Sequence, residues 1–389
     1  MVARPALEVG DIFRDNAPRY KRTEKGHLSL EQLKVISAIT RCRSAQLGGH
    51  QLHCSHCETD TIAYNSCRNR HCPKCQSSAA KRWLEARQSQ LLSVDYYHVV
   101  FTLPAEVAQL AFYNKADVYG LLFSAASQTL MTIARDKKHL GADIGATMVL
   151  HTWGSSMTHH PHVHCIVPGG GISHDKGHWQ SCKKGFFLPV KVLSRLFRRL
   201  FVEGLRRLYD EGRLQCFGKI AELVTPALFD KWCYVQQTRE WVVYAKKPFA
   251  GPEAVLAYLS RYTHRVAIAN SRLTKVDEQH VSFTYKDYRL KGRAKRKTMQ
   301  LGTMEFMRRF MLHVLPSRFH RIRHFGLLAS RTKLALARRL LVMPKLEESL
   351  TLPSDDDVPF KCHACQNTMT VSAITEPLYL SRAPPRKEC

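Results

Sequence analysis

The sequence predicts a mixed core, α+β or α/β, preceded by a small cysteine-rich module. Three observations lead there. Cysteines crowd between residues 42 and 76, strand-like and helix-like stretches alternate from Tyr96 onward, and 59 Lys and Arg stand against 32 Asp and Glu among 389 residues. A chain of this length has room for two or three domains.

Residues 1 to 40 read as a helical lead-in, with Leu28, Leu30, Leu33, Val35, Ile36 and Ile39 as its apolar strip. In the next segment Gly48 and Gly49 interrupt regular structure, and few large apolar residues are available between Cys42 and Gln76. Something other than burial must hold it. Ser77 to Leu92 has good helix propensity, and Tyr96 to Pro104 reads as a buried strand stopped by proline. Ala105 to Lys138 reads as helical. Met148–Trp153 and His160–Val167 read as two strands able to form a hairpin, the second ended by Pro168 and three glycines. Residues 189 to 210 read as a basic helix, Glu240 to Lys246 as a strand, and Glu253 to Tyr262 as a short helix after Pro248 and Pro252. A charged hairpin from Ser282, two helical stretches, an acidic proline-containing linker and a short tail with Cys362 and Cys365 complete the chain. The expected division is therefore 1–93 for lead-in and cysteine module, 94–345 for the main domain and 346–389 for linker and tail.

The formal charge of +27 and a pI near 9.8 cost self-repulsion unless a polyanion neutralises them, which points to nucleic acid. No window is apolar for the roughly 20 residues a membrane span requires. The first residues lack the basic-then-apolar order of a secretory leader, so a reducing, cytoplasmic location is expected, where 13 cysteines imply metal rather than disulfides.

Cys54-Ser-His-Cys57 and Cys72-Pro-Lys-Cys75 are two CxxC pairs fourteen residues apart, a spacing with which two tight turns deliver four thiolates to one Zn²⁺. Chance would supply about half of one such pair. Cys42, His50, Cys67 and His71 lie in the same stretch as candidates for a second zinc, with His53 and His56 competing, so one zinc ion or two are expected. Cys362 and Cys365 form half a site, whose partners would have to come from Cys389, from the N-terminal cluster or from nowhere.

His162-Val163-His164 on a strand sends two imidazoles to one face and the valine to the other, which makes a platform for a metal. Taken alone the pair is weak, since 20 histidines yield about one such spacing by chance. Tyr258 and Tyr262 lie about one helical turn apart, so both phenols project from one face. A phenol with pKa near 10 is a poor nucleophile toward a phosphodiester unless a metal offsets the charge. Each pair supplies what the other lacks.

The runs SCRNRHCPKCQ from Ser66, HVVFTLP from His98, HHPHVHCIVPGGG from His159, PEAVLAYLSRYTHRVAIAN from Pro252 and RIRHFG from Arg321 span nearly the whole chain. In that order they resemble the rolling-circle transposases of the insertion-sequence ninety-one family, which belong to the HUH endonucleases. The resemblance implies an α+β nuclease core with an antiparallel sheet flanked by helices, a zinc-binding module before it, and a bacterial, nucleoid-associated protein. It implies that His162 and His164 are the metal pair and that Tyr258 and Tyr262 are paired nucleophiles of the two-tyrosine branch.

The expected reaction is cleavage and rejoining of single-stranded transposon ends through 5′-phosphotyrosine links, with Mg²⁺ or Mn²⁺ on His162, His164 and a third ligand. His160, His264 and His98 are the candidates for that third ligand, with His160 preferred. The DNA track is expected along Lys191–Arg207, with Arg195, Arg198 and Arg199, and along Lys286–Lys297, with Lys286, Arg289, Arg293 and Lys295; Arg261 lies beside the tyrosines. A non-enzymatic zinc-dependent DNA-binding protein and a metal-dependent nickase using water are the rival readings. A covalent adduct separates them from the transferase.

Overall fold

The computed structural model describes residues 7–88, 90–185, 187–246, 266–287, 296–344 and 360–378, together with Ala254, Leu290 and Gly292. The chain packs as two compact units: residues 1–79, 268–314 and 351–389 make one, and residues 80–267 and 315–350 the other. This division differs from the linear one expected from the sequence. The segment 268–314 joins the cysteine module, and so does the tail.

The lead-in forms α1 (Val9–Thr23) and α2 (Leu30–Arg41). A reciprocal capping box starts α2: the Gln32 amide N–H donates to the Ser29 hydroxyl, and the Ser29 N–H donates to the Gln32 side chain. Val35, Ile36 and Ile39 are buried as expected, whereas Leu30 is 70% exposed at the helix start. Between Cys42 and Gln76 the glycine pair does not interrupt structure, because Gly49 opens β1 (Gly49–Cys54), which pairs antiparallel with β2 (Thr59–Tyr64). Helix α3 (Gln76–Gln88) follows.

Strand β3 (Tyr96–Thr102) leads into α4 (Ala105–Tyr113) and α5 (Lys115–Arg135). The expected single helix is thus broken at Asn114, whose side chain holds the Gln215 backbone at both N–H and C=O. Next come β4 (Ala142–Asp143), β5 (Gly145–Trp153), β6 (His159–Pro168), β7 (Gly170–Ser173) and β8 (Trp179–Ser181), then α6 (Val190–Asp210), α7 (Pro226–Thr238) and β9 (Val243–Lys246). Strands β10 (Leu273–Val276), β11 (His280–Lys286) and β12 (Arg296–Gly302), helix α8 (Thr303–Leu312), β13 (Ile322–Gly326), helix α9 (Arg331–Leu340) and β14 (Thr370–Thr375) complete the described elements.

In the first unit β14-β1-β2 and β10-β11-β12 form two three-stranded sheets. Helix α1 packs on α8, where Phe13 and Phe310 meet edge to face at 5.2 Å and are fully buried.

The second unit is built on a five-stranded antiparallel sheet in the order β13-β5-β6-β3-β9, with β4-β7-β8 as a small side sheet. Alternation divides the large sheet into two unlike faces. Val99, Phe101, Ala146, Met148, Leu150, Val163, Cys165 and Val167 occupy one face and pack with Tyr119, Phe123, Phe197 and Phe201 of α5 and α6 in the main core. Each such fully buried side chain contributes about 1.5–3 kcal/mol. The other face carries His98, Val100 and Thr102 of β3, His162, His164 and Ile166 of β6, and Thr147, Val149 and His151 of β5. Histidines therefore gather on one face because the core claims the other. The fold is α+β with antiparallel sheets flanked by helices, as expected.

Candidate metal centres and nuclease site

On the histidine face, antiparallel pairing sets His151 directly opposite His162, and Val149 opposite His164. The ligating atoms of His151, His162 and His164 all lie within 4.8 Å of one another. His160, expected from the sequence as the third ligand, is not a member of this group. His160 is exposed at the start of β6, and the cross-strand neighbour on β5 takes its place. Tilted against the His162 ring at 5.3 Å, its ring stays outside the cluster. His264 lies outside the described residues.

Each imidazole is oriented by a neighbour. His162 Nδ1 lies 2.7 Å from the His160 carbonyl, which can only accept, so Nδ1 carries the proton and Nε2 keeps its lone pair. His164 Nδ1 lies 2.7 Å from His98 Nε2, and the two rings stack at 5.0 Å, almost parallel. This puts His98, the remaining candidate ligand, behind His164 rather than in the cluster. The indole of Trp153 stacks on His151 at 4.4 Å. At the mouth of the β5–β6 hairpin the Tyr119 hydroxyl meets His159 Nε2 at 2.8 Å.

Burial keeps the rings of His98, His162 and His164 neutral. It lowers His162 to about 4, lowers His98 to about 4 with help from Lys246 and His162, and holds His164 well below the ordinary histidine value. Neutral imidazoles are the metal-binding form. Because the folded-state pKa is depressed, the unfolded chain takes up protons first. Stability is therefore full above about pH 6.5 and declines as pH falls toward about 4. For His98, 2% exposed, the expected loss from pH 7 to pH 5 is about 2 kcal/mol. Urea unfolding of wild type and His98→Phe at both pH values measures it. Equal pH dependence in the two proteins would contradict the assignment.

The cysteines assemble differently from the expected pairing. Cys42, Cys67, Cys72 and Cys75 form one group, and Cys54, Cys57, Cys362 and Cys365 another. The two N-terminal CxxC pairs thus face different centres, because Cys54 ends β1 at the turn into β2 whereas Cys72–Cys75 lies in the turn preceding α3. In the first group Cys42 Sγ and Cys67 Sγ lie 3.5 and 3.6 Å from Cys75 Sγ. A tetrahedral Zn–S₄ centre with 2.3 Å bonds requires sulfur separations of about 3.8 Å. Hydrogen bonds from Cys42, Cys67 and Cys72 hold the Cys75 thiol far below its ordinary value, so the cluster carries anionic sulfur that a cation would neutralise. His50 and His71 belong to neither group. His50 points its ring at Phe360, 6.0 Å away, and His71, 3% exposed, has its N–H held by the Asn69 side chain at 2.9 Å. His53 is engaged by Asp60 at 2.9 Å.

Tyr258, Tyr262 and Arg261 lie outside the described residues, as do Arg289, Arg293 and Lys295. Helix α6 buries Leu193, Phe197, Phe201 and Leu205 and exposes Arg195 and Arg199. Arg199 meets Glu203 at 3.7 Å, and the Arg198 guanidinium donates to the Arg239 carbonyl. Lys286 is exposed at the end of β11, paired across the hairpin with Arg296. Among the described residues no helix is long and apolar enough to cross a membrane.

Sequence comparison covers both regions. A family described as "Transposase zinc-binding domain" matches residues 12–103, and one described as "Putative transposase" matches residues 145–335. The first span holds Cys42, Cys67, Cys72 and Cys75; the second holds His151, His162, His164, Tyr258 and Tyr262. The chain is 52% identical over 361 residues to the "Putative transposase y4qJ" of Sinorhizobium fredii, covering 92% of this chain and 89% of the relative. It is 26% identical over 339 residues to the "Transposase for insertion sequence element IS801" of Pseudomonas savastanoi pv. phaseolicola, covering 86% and 78%. No solved structure matches. The chain carries a zinc-binding domain, acts on DNA, and belongs to the insertion-sequence ninety-one family of transposases.

Proposed function

We propose that this transposase works by a rolling-circle route, cleaving and rejoining single-stranded transposon ends through 5′-phosphotyrosine links to Tyr258 and Tyr262. The observation that carries the reading is the convergence of His151, His162 and His164, with ligating atoms within 4.8 Å on one sheet face. Three protein ligands leave coordination positions open for substrate, which favours a catalytic over a structural metal site.

Three imidazole donors suit Mn²⁺ better than Mg²⁺, which prefers oxygen and sheds water reluctantly. A bound divalent ion supplies Lewis acidity at the scissile phosphate. The chain's own residues do the rest. Hydrogen bonding to the His160 carbonyl fixes the tautomer of His162, and the contact with His98 orients the ring of His164. One tyrosine oxygen forms the bond to phosphorus as the DNA 3′ oxygen leaves, and its proton passes to solvent or a base. The link conserves the energy of the broken phosphodiester, so a free 3′-hydroxyl can later displace the tyrosine without ATP. Cys42, Cys67, Cys72 and Cys75 hold a zinc ion that fixes the N-terminal module, and Arg195, Arg199 and Lys286 meet the DNA backbone.

The test is a 5′-side assay. Incubated with Mn²⁺ and single-stranded oligonucleotides carrying a transposon end, the protein should become covalently attached to the 5′ end of the downstream fragment and release a 3′-hydroxyl. Nicks with a free 5′-phosphate and no protein attached would support water as the nucleophile instead.

A further inference from the structure

Cys362 and Cys365 lie beyond both matched family regions, which end at residue 335. Nonetheless they meet Cys54 and Cys57. Cys54 Sγ lies 3.5 Å from Cys365 Sγ and Cys57 Sγ 3.6 Å from Cys362 Sγ, across sequence separations of 311 and 305 residues. These separations are too long for sulfur–sulfur bonds and close to the edge of a tetrahedron of sulfurs around zinc, about 3.8 Å.

The two halves are built alike. Each CxxC lies in a tight turn whose next residue adopts a left-handed backbone, Glu58 at φ 54° and Gln366 at φ 62°. The Cys362 N–H donates to the Asn367 carbonyl and the Gln366 N–H to the Cys362 carbonyl, closing the tail's turn on itself. Leu52, Cys54, Cys362 and Met369 form a small buried core beneath the sulfurs, and Cys54 and Cys362 are fully buried. From this turn the tail continues as β14, which pairs antiparallel with β1 from Gly49–Thr375 to His53–Thr370. Gly48 admits that strand. A Cβ at Gly48 would lie 2.3 Å from the Thr375 carbonyl oxygen, and its φ of +66° also favours glycine.

We propose that Cys54, Cys57, Cys362 and Cys365 form a second, structural zinc centre that clamps the C-terminal tail to the N-terminal cysteine module. Four sulfur donors leave no open position, so the centre is closed to substrate. The exposed β14, with five of its six residues exposed, offers too little apolar surface to dock by burial alone, and the metal substitutes for that missing core. The inference does not rest on the tyrosine or histidine assignments.

Zinc content and sulfur coordination of the full chain test it. Two zinc ions per chain are expected, both with four sulfur neighbours by X-ray absorption. Cys362→Ser/Cys365→Ser should retain one zinc, and hydrogen exchange at residues 360–378 and in β1 should accelerate at least about tenfold, while exchange in β5 and β6 is unchanged. Cys67→Ser/Cys72→Ser should lose the other zinc and keep the tail protected. Cobalt substitution of the wild type gives a measure independent of variant folding: two tetrathiolate equivalents of sulfur-to-cobalt absorption. A single zinc or cobalt per wild-type chain, or two zinc ions retained by Cys362→Ser/Cys365→Ser, would overturn the proposal.

Discussion

Replacing both Tyr258 and Tyr262 by phenylalanine is expected to abolish the covalent protein–DNA adduct, lowering it by on the order of 10³-fold or more, because removal of a nucleophile leaves no alternative covalent route. The single variants behave differently. The helix expected from the sequence would place residues four apart on one face, so that either phenol would reach a phosphate held at one place and small shifts would decide which is in line. Tyr258→Phe and Tyr262→Phe should each keep adduct formation within about tenfold of wild type, yet each should fail to complete strand joining, which requires both links. A denaturing protein gel reads the adduct and a sequencing gel reads the joined product. Adduct from the double variant excludes these tyrosines, and full joining by either single variant excludes a two-tyrosine relay while leaving the nuclease assignment standing.

The second large effect concerns a residue that the histidine motif does not contain. His151→Ala is expected to lower single-strand nicking by about 10²-fold or more and to raise the Mn²⁺ concentration required, because two imidazoles alone define neither the position nor the affinity of an ion. His160→Ala, two residues before His162 and outside the convergent group, should change nicking by less than about threefold if its backbone carbonyl still holds His162. His98→Phe should fall between them, with a loss of about 10- to 100-fold that saturating Mn²⁺ largely restores, the signature of an orienting partner. DNA binding in all three should stay near wild type, since it depends on basic side chains elsewhere. Unimpaired nicking by His151→Ala together with loss in His160→Ala would return the third position to the residue preferred from the sequence.

The way His151 escapes a sequence reading is instructive. Both strands of its hairpin are legible, Met148–Trp153 as an apolar run and His160–Val167 as a strand ended by glycines, and so is their pairing. Register is not. The connection between β5 and β6 includes Met157 at φ 61° and a Gly154 N–H bonded to the Thr158 carbonyl, and the ladder is irregular between His151 and Trp153. A slip of one residue would send His151 into the core and Leu150 to the histidine face. The burial of Leu150 and Met148 in the main core beside α5 selects the register, and with it the third imidazole.

The cysteines divide along the same line. Residue type, CxxC spacing and the scarcity of large apolar residues point to a metal-held module, and the +27 charge of the whole chain points to a polyanionic partner. Which cysteine faces which is a different matter. Cys54 and Cys72 lie close in sequence, but β1 and the turn before α3 send them to separate clusters, and the partner of Cys54 comes from 311 residues away. Local periodicity and spacing determined a mixed core of helices and strands, most of the elements around the site, and the His162–His164 face, because these depend on alternation within a few residues; the choice of α+β over α/β came from the family resemblance. The strand register that recruits His151, the crossing of cysteine pairs and the return of the tail to β1 were decided by tertiary structure, because each is a contact between segments whose relative placement depends on burial and backbone pairing elsewhere in the chain.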